Sequence, residues 1–374
     1  MKVVQMLPAL DSGGVERGTL ELAKHLVGLG HSSVVISERG RMTPQLLAEG
    51  SEHLDWPVGA KRWSTWRWIK RVRDYLREAE PDILHLRSRL PAWVGYLAWK
   101  KLSPSRRPAL VTTVHGPYSV SRYSAVMTKG QRVIVISRMI HDYVLANYPH
   151  VEPSRIRLIY RGVDTQDYSL NYRPDANWRA RFDQEFPQLR ERFVVTLPAR
   201  ITRWKGQEAF LEIIHALSQR GDIPVHGLMV GEPHARKLPF YHALQARIDQ
   251  LGLGKQVSFA GHRSDLRNIL AISNVVLSLA SSPEAFGRTT VEALSLGIPT
   301  AGFDHGGVAE QLQELLPEGR VPVGDLGVMA ELIYTWYKHP PLIKENRVFT
   351  LENMLRKTVQ VYQELLTERA HTLP

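Results

Sequence analysis

Two carboxylates, Glu284 and Glu292, bracket the segment Ser281-Ser282-Pro283-Glu284-Ala285-Phe286-Gly287-Arg288-Thr289-Thr290-Val291-Glu292. The apolar run before it, Val275-Val276-Leu277-Ser278-Leu279, reads as a buried strand, and the pattern after Gly287 turns helical. Glu284 is thereby expected at a strand end and Glu292 in the first turns of a helix. Between them, Phe286-Gly287-Arg288 would present free backbone N–H groups at the positive end of the helix dipole, where a phosphate binds well. A sugar, a diphosphate and a ribose could share so short a segment. The same residues admit a structural reading: Thr289-x-x-Glu292 is a capping-box pattern, in which Glu292 satisfies a backbone donor.

Other residues of comparable chemistry recur at the ends of apolar runs. The start of the chain, Lys2 to Leu7, reads as a buried strand and leads into Gly13-Gly14-Val15-Glu16 and a helix with Leu20, Ala23, Leu26 and Val27 on one face. Glycine lets backbone approach an anion, so this turn is either a phosphate cradle or a tight turn with Glu16 as a solvated carboxylate. His115-Gly116 follows the run Leu110-Val111-Thr112-Thr113-Val114, where a histidine can meet a sugar or a phosphate or serve the structure alone. Arg200 and Lys205 follow Phe193-Val194-Val195-Thr196-Leu197 and would form a diphosphate clamp, neutralising a leaving group as its charge develops. No Asp-x-Asp occurs, so no metal site is inferred.

The elements that would carry these residues alternate along the chain. Short β-branched runs at 33–36, 82–86, 110–114, 133–136, 156–159, 193–197, 225–230, 256–260, 275–279 and 298–303 are each followed by a helix-compatible segment. Such alternation predicts parallel doubly wound sheets, whose ligands bind at the carboxyl ends of the strands. A length of 374 residues favours two domains. We place them at 1–165 and 191–345, joined by a polar linker at 166–190 and followed by a C-terminal helical segment at 346–374 expected to cross back to the first domain. Hydrophobic residues at 43% and charged residues at 23% fit a soluble globular chain rather than a disordered or membrane-spanning one. The opening eight residues end in Pro8, too soon for a signal peptide, and a cytoplasmic location is expected. The absence of cysteine excludes disulfides and thiol chemistry.

The net charge of +11 lies wholly in the first part of the chain: residues 1–165 hold 25 Lys and Arg against 14 Asp and Glu, and the remainder holds 23 of each. An anionic partner is implied. Within this part, Lys61-Arg62-Trp63-Ser64-Thr65-Trp66-Arg67-Trp68-Ile69-Lys70-Arg71 is the densest basic and aromatic cluster. Continued as one helix to Leu76, it puts Thr65, Trp66, Ile69, Val72, Arg73 and Leu76 on one face. That face either covers a sheet or lies at an anionic membrane surface with Trp63, Trp66 and Trp68 at headgroup level and Arg67 beside them. The basic residues match no nucleic-acid motif, and no nucleic acid is expected as a partner.

Taken in order, Gly13-Gly14-x-Glu16, His115-Gly116, Gly162-Val163-Asp164, Arg200 with Lys205-Gly206, Phe259-x-Gly261, Glu284-x7-Glu292 around Phe286-Gly287, and Gly306-Gly307-x-x-Glu310 resemble the retaining glycosyltransferases of family 4, over nearly the whole chain. The resemblance implies the GT-B fold: α/β, two Rossmann-like doubly wound parallel-sheet domains facing across a cleft. It implies a nucleotide-diphosphate sugar, a UDP-sugar favoured, as co-substrate rather than a cofactor. The donor would be held mainly by the second domain and a glycan or glycolipid acceptor by the first. In this resemblance Glu292 is the ribose ligand. Arg200 and Lys205 are the diphosphate clamp, aided by Gly14 and the backbone of Phe286, Gly287 and Arg288, while Glu284 and His115 face the transferred sugar. The base lies near His262 and Arg263, and Gly13, Glu16, Trp63, Trp66, Arg67 and Trp68 fall to the acceptor or membrane side. A front-face mechanism asks for charge stabilisation and positioning, with no protein nucleophile. The chain departs from the pattern at Arg161, where members often have asparagine, and at Ala199, where many have glycine. An acceptor of the cell envelope, lipopolysaccharide-type or lipid-linked, is favoured, with the protein peripheral at the inner face of the membrane. A nucleotide-sugar epimerase, or a non-catalytic protein binding anions or nucleic acid, are the alternatives.

Overall fold

The computed structural model describes residues 1–11, 13–233 and 238–372. The chain divides into two compact units, one of residues 1–160 together with those from Glu352 onward, the other of Arg161–Leu351.

The first unit holds seven strands: β1 (Lys2–Ala9), β2 (Ser32–Glu38), β3 (Glu52–Asp55), β4 (Ile83–Leu86), β5 (Ala109–Val114), β6 (Arg132–Val135) and β7 (Ile156–Leu158), in the order β3-β2-β1-β4-β5-β6-β7. Every pairing is parallel. All residues of β4 and β5 are buried, as expected of strands covered by helices on both faces. The helix Gly14–Gly28 lays Leu20 and Ala23 against Leu7, Leu10, Val35 and Leu46, so its amphipathic stripe is what seats it on the sheet. The strand order reverses direction at β1 and β4, which makes their carboxyl ends the place where the sheet opens toward a ligand.

The second unit repeats the plan with β8 (Phe193–Pro198), β9 (Val225–Val230), β10 (Val257–Phe259), β11 (Val275–Ser278), β12 (Thr300–Phe303) and β13 (Arg320–Val321), in the order β10-β9-β8-β11-β12-β13, again parallel. Here the order reverses at β8 and β11. Two strands escaped the sequence pattern: β3 is a polar edge strand, Glu-His-Leu-Asp, and β13 has two residues, too few for any periodicity.

The expected linker at 166–190 is part of the second unit. Asp175 Oδ1 accepts from the Trp178 N–H at 2.8 Å and starts the helix Ala176–Glu185. Trp178, Phe182 and Phe186, spaced four apart, bury with Leu189 against Val194, Leu228, Val230 and Ile269. Four charged residues between these aromatics mask the stripe in composition. The passage between units falls at Tyr160 and Arg161, and the returning chain is stitched beside it: Val163 N–H donates to Phe349 O at 3.0 Å and Leu351 N–H to Val163 O at 2.8 Å. A side chain at Gly162 would meet Thr350 O at 2.1 Å, so only glycine allows this approach.

The final helix, Leu351–Thr372, packs on the first unit from Glu352 onward. Buried Tyr362 places its hydroxyl 2.6 Å from His85 Nδ1, and His85 Nε2 lies 2.7 Å from Thr113 Oγ1. Arg157 Nε donates to Glu364 at 3.0 Å. No helix among the described residues is long and apolar enough to cross a membrane.

Candidate functional site

Three helices of the second unit begin at the carboxyl edge of its sheet, each after a strand next to the reversal or beyond it: Gln207–Ser218 after β8, Arg288–Ser295 after β11 and Gly306–Leu315 after β12. None has a side chain capping its first turn. Their dipole ends make one edge of the sheet electropositive, although the Gly307 N–H of the third helix is taken up by the Glu284 carbonyl.

Glycines set how closely these turns approach. Gly206 (φ 83°) begins the first helix, and a Cβ there would lie 2.1 Å from Leu279 O. Gly306 and Gly307 lie against the 284–286 backbone, with the Gly307 N–H donating to Glu284 O at 2.8 Å. Buried Gln207 donates to Arg200 O at 2.9 Å, and Ser281 N–H donates to Trp204 O at 2.8 Å, so the loops after β8 and β11 are held together. Ala199 in place of glycine costs nothing, since its φ is not positive; the close approach falls instead on Gly231, whose Cβ would be 2.2 Å from Ala199 O.

Lys205 and Glu284, expected to serve the diphosphate and the sugar separately, are in contact. Lys205 Nζ lies 2.8 Å from Glu284 Oε2, with the two side chains 15% and 19% exposed. The same ammonium sits 4.3 Å from the centre of the Trp204 ring. Trp204 was not singled out from sequence; its position one residue before Lys205 was the available signal. Arg200 is exposed at the end of β8.

The helix carrying Glu292 starts at Gly287 (φ 78°, left-handed), so Thr289 lies inside the first turn and the capping box is not formed. Glu292 is buried, and its Oε1 accepts from Arg288 Nε at 3.0 Å, one helical turn away. The Phe286 ring is buried edge-to-face on Phe349, 6.1 Å between centres, so this residue offers its backbone to a ligand and its ring to the core. Along this edge of the sheet Gln207 Oε1 and Thr290 Oγ1 are buried without a hydrogen-bond partner.

His262 and Arg263 follow β10. The Arg263 guanidinium is committed to its own unit: Nε and Nη2 grip Asp265 at 2.9 and 2.8 Å, and Nη1 reaches Glu185 at 2.7 Å. Trp178 Nε1 also donates to Asp265 at 2.7 Å. The Arg263 fork, ahead of the Trp178 bond, holds the Asp265 carboxyl below its usual range. Glu185 was outside any sequence expectation because it lies far away in the chain.

In the first unit, Gly13 (φ 149°) precedes the helix Gly14–Gly28, and the Glu16 carboxylate folds back to within 2.5 Å of where a Gly13 Cβ would stand. Gly14 and Gly116 face open space. His115 follows β5, its backbone N–H donating to the Tyr118 hydroxyl oxygen at 3.3 Å. Buried Arg87, at the end of β4, donates to Gln5 at 2.9 Å, and burial pushes its guanidinium down to about 10. The single helix expected over 61–76 is broken into a 3-10 turn, Trp63–Arg67, and the helix Trp68–Ala79, because Thr65 N–H closes onto Arg62 O and its hydroxyl onto Ala60 O. The three tryptophans part company. Trp68 stacks on Trp56 at 5.7 Å with Arg71 over both rings, whereas Trp63 is 93% and Trp66 43% exposed. With Lys61, Arg62 and Leu90 they line a shallow surface depression.

The sequence matches the profile described as Glycosyltransferase Family 4 over residues 12–167 and that described as Glycosyl transferases group 1 over residues 179–345. The chain belongs to the family 4 glycosyltransferases and has the GT-B fold. Among solved structures it is similar to a glycosyltransferase from Rickettsia africae, 27% identical with a TM-score of 0.86 and 98% of each chain covered. The HepE protein of Anabaena, solved with UDP-glucose, shares the fold at 21% identity and a TM-score of 0.74, with 100% of each chain covered. Among curated relatives, N-acetyl-alpha-D-glucosaminyl L-malate synthase of Bacillus anthracis is 22% identical over 264 residues, 67% of this chain. The chain spans 61% of that relative's length, and 43% of the D-inositol 3-phosphate glycosyltransferase of Corynebacterium urealyticum.

Proposed function

We propose that this protein transfers a sugar, with retention of anomeric configuration, from a nucleotide-diphosphate sugar to a hydroxyl of a cell-envelope glycan or lipid-linked acceptor, the lipopolysaccharide core type being favoured. The observation that carries the donor half is the edge at β8 and β11, which bears two helix N-termini without side-chain caps, the Lys205 ammonium and the buried carboxylate of Glu292. The diphosphate lies on those N-termini with Arg200 and Lys205 as counter-charges, and Glu292 takes the ribose hydroxyls. Glu284 and His115 serve the transferred sugar. The base rests on the backbone near His262, since the Arg263 side chain is already engaged. A UDP-sugar is the favoured donor, UDP-glucose being the ligand of the HepE structure.

Charge stabilisation of the departing phosphate does most of the chemistry on this reading, and that phosphate assists deprotonation of the acceptor hydroxyl. Lys205→Ala and Glu292→Ala are expected to cut transfer by ~10²-fold or more with the fold preserved by circular dichroism. Wild-type rates in both variants would refute the donor assignment. Screening nucleotide sugars by thermal shift identifies the base and sugar, because a ligand that binds only the folded state raises its melting temperature.

The acceptor class rests on the charge excess of the first part of the chain and on exposed Trp63 and Trp66 among Lys61, Arg62 and Arg67. We place the protein peripherally at the inner face of the membrane through this surface. Replacing Trp63 and Trp66 together by alanine is expected to weaken binding to phosphatidylglycerol vesicles about tenfold or more; unchanged binding leaves the patch to another partner.

A further inference from the structure

The contact between Lys205 and Glu284 has consequences for how the site tells a donor from its spent nucleotide. Each satisfies the other: Nζ and Oε2 are 2.8 Å apart, and both side chains are largely shielded from water. Glu284 is held rigidly from the backbone side, its carbonyl receiving the Gly307 N–H at 2.8 Å and its main chain pressed by Gly306. Lys205 is the more mobile partner, on a flexible stem at the last position before Gly206 and the helix Gln207–Ser218. A diphosphate arriving at that helix N-terminus competes with Glu284 for the Lys205 ammonium.

Resting on the donor reading above, we propose that Glu284 is a specificity-determining residue that favours the sugar-bearing nucleotide over the bare nucleoside diphosphate by competing for Lys205. Once Lys205 turns to the phosphates, the Glu284 carboxylate loses its counter-charge in a half-shielded place and needs new hydrogen-bond donors. A nucleotide sugar brings hydroxyl groups that can supply them. A nucleoside diphosphate brings none at that position, so the carboxylate stays unsatisfied for as long as Lys205 is held by the phosphates. After transfer the hydroxyls leave with the product, Glu284 is stripped again, and it recaptures Lys205, which loosens the spent nucleotide. Glu284 thus helps hold the sugar before transfer and helps expel the diphosphate afterwards. The Trp204 ring, 4.3 Å from Nζ, gives the ammonium an apolar surface against which to make this exchange.

The test is calorimetric titration of the full chain with UDP and UDP-glucose, and with GDP and GDP-mannose alongside, for wild type, Glu284→Gln, Lys205→Ala and the double variant. Glutamine keeps the shape and removes the charge. Glu284→Gln is expected to bind the nucleoside diphosphate about tenfold more tightly than wild type while its affinity for the matching nucleotide sugar changes little or falls, so that the preference for the sugar form shrinks. In the Lys205→Ala background most of that gain is expected to vanish, because the gain acts through Lys205; simple repulsion between carboxylate and phosphate would persist undiminished. An unchanged or weaker affinity of Glu284→Gln for the diphosphate overturns the proposal, as does an equal gain in both backgrounds. If wild type binds none of the four nucleotides, or binds them no better than Lys205→Ala does, the donor reading itself falls and this inference with it. Binding that depends on Lys205 without the Glu284 effect leaves the donor reading standing and removes the inference alone.

Discussion

Gly287 is the residue on which the position of the Glu292 helix turns, and Gly287→Ala tests that dependence. Two costs can be worked out. The backbone there is left-handed at φ 78°, a conformation that costs an L-residue with a Cβ ~1–2 kcal/mol. The added methyl would also stand 2.5 Å from Val308 Cγ2, well inside contact distance, and Val308 is 2% exposed with little room to retreat. Overpacking of this kind costs ~1–3 kcal/mol. Together the substitution should destabilise the second unit by ~2–5 kcal/mol and shift the start of the helix Arg288–Ser295, reducing nucleotide affinity along with stability. Val308→Ala removes the clashing methyl but leaves the backbone cost, so the double variant should be less destabilised than the sum of the singles by ~1–2 kcal/mol. Urea unfolding of the full chain, with hydrogen exchange of the 288–295 amides as a local reading, measures all four corners. A loss below ~0.5 kcal/mol for Gly287→Ala, or strict additivity with Val308→Ala, would refute the packing argument.

Burial, aided by the charge of Arg192, lowers His226 to about 4 from the usual 6.5. The unfolded chain therefore takes up a proton first: stability is complete above pH 6.5 and falls as pH drops toward 4, by ~2 kcal/mol at pH 5. His226→Gln should flatten this limb in urea titrations at pH 7 and pH 5, and an unaltered slope would contradict it. Tyr362→Phe takes a hydroxyl from His85 Nδ1 in a buried chain of hydrogen bonds and should cost ~1–2 kcal/mol in the first unit; a neutral effect would show that the bond does not hold the final helix to the sheet.

Much of the architecture is local in origin and so could be read from residue order. Strand and helix periodicities, glycines at the ends of apolar runs and the rule that parallel strands present ligands at their carboxyl ends lead to two doubly wound sheets and to the turns at Gly13, His115, Lys205 and Gly287. These signals need only neighbours a few residues away. The helix Ala176–Glu185 shows the limit: its buried stripe of Trp178 and Phe182 was present in the sequence, but four charges in ten residues gave it the composition of a linker.

Partnerships between side chains distant in sequence were decided by tertiary structure alone. Glu284 could be named from its own segment, yet its contact with Lys205 exists because Gly206 allows the loop after β8 to lie on Leu279. Arg263 could be named too, but only folding brought Glu185 to its guanidinium and turned it from a free cation into a tie. The segment from Lys61 to Leu76 read as one helix until a 3-10 turn at Thr65 separated exposed Trp63 and Trp66 from stacked Trp68. Periodicity acts along the chain, whereas the pairing and shielding of charges depend on which loops close on one another in space; the first is written in residue order, and the second arises only when the sheet has brought those loops to a common edge.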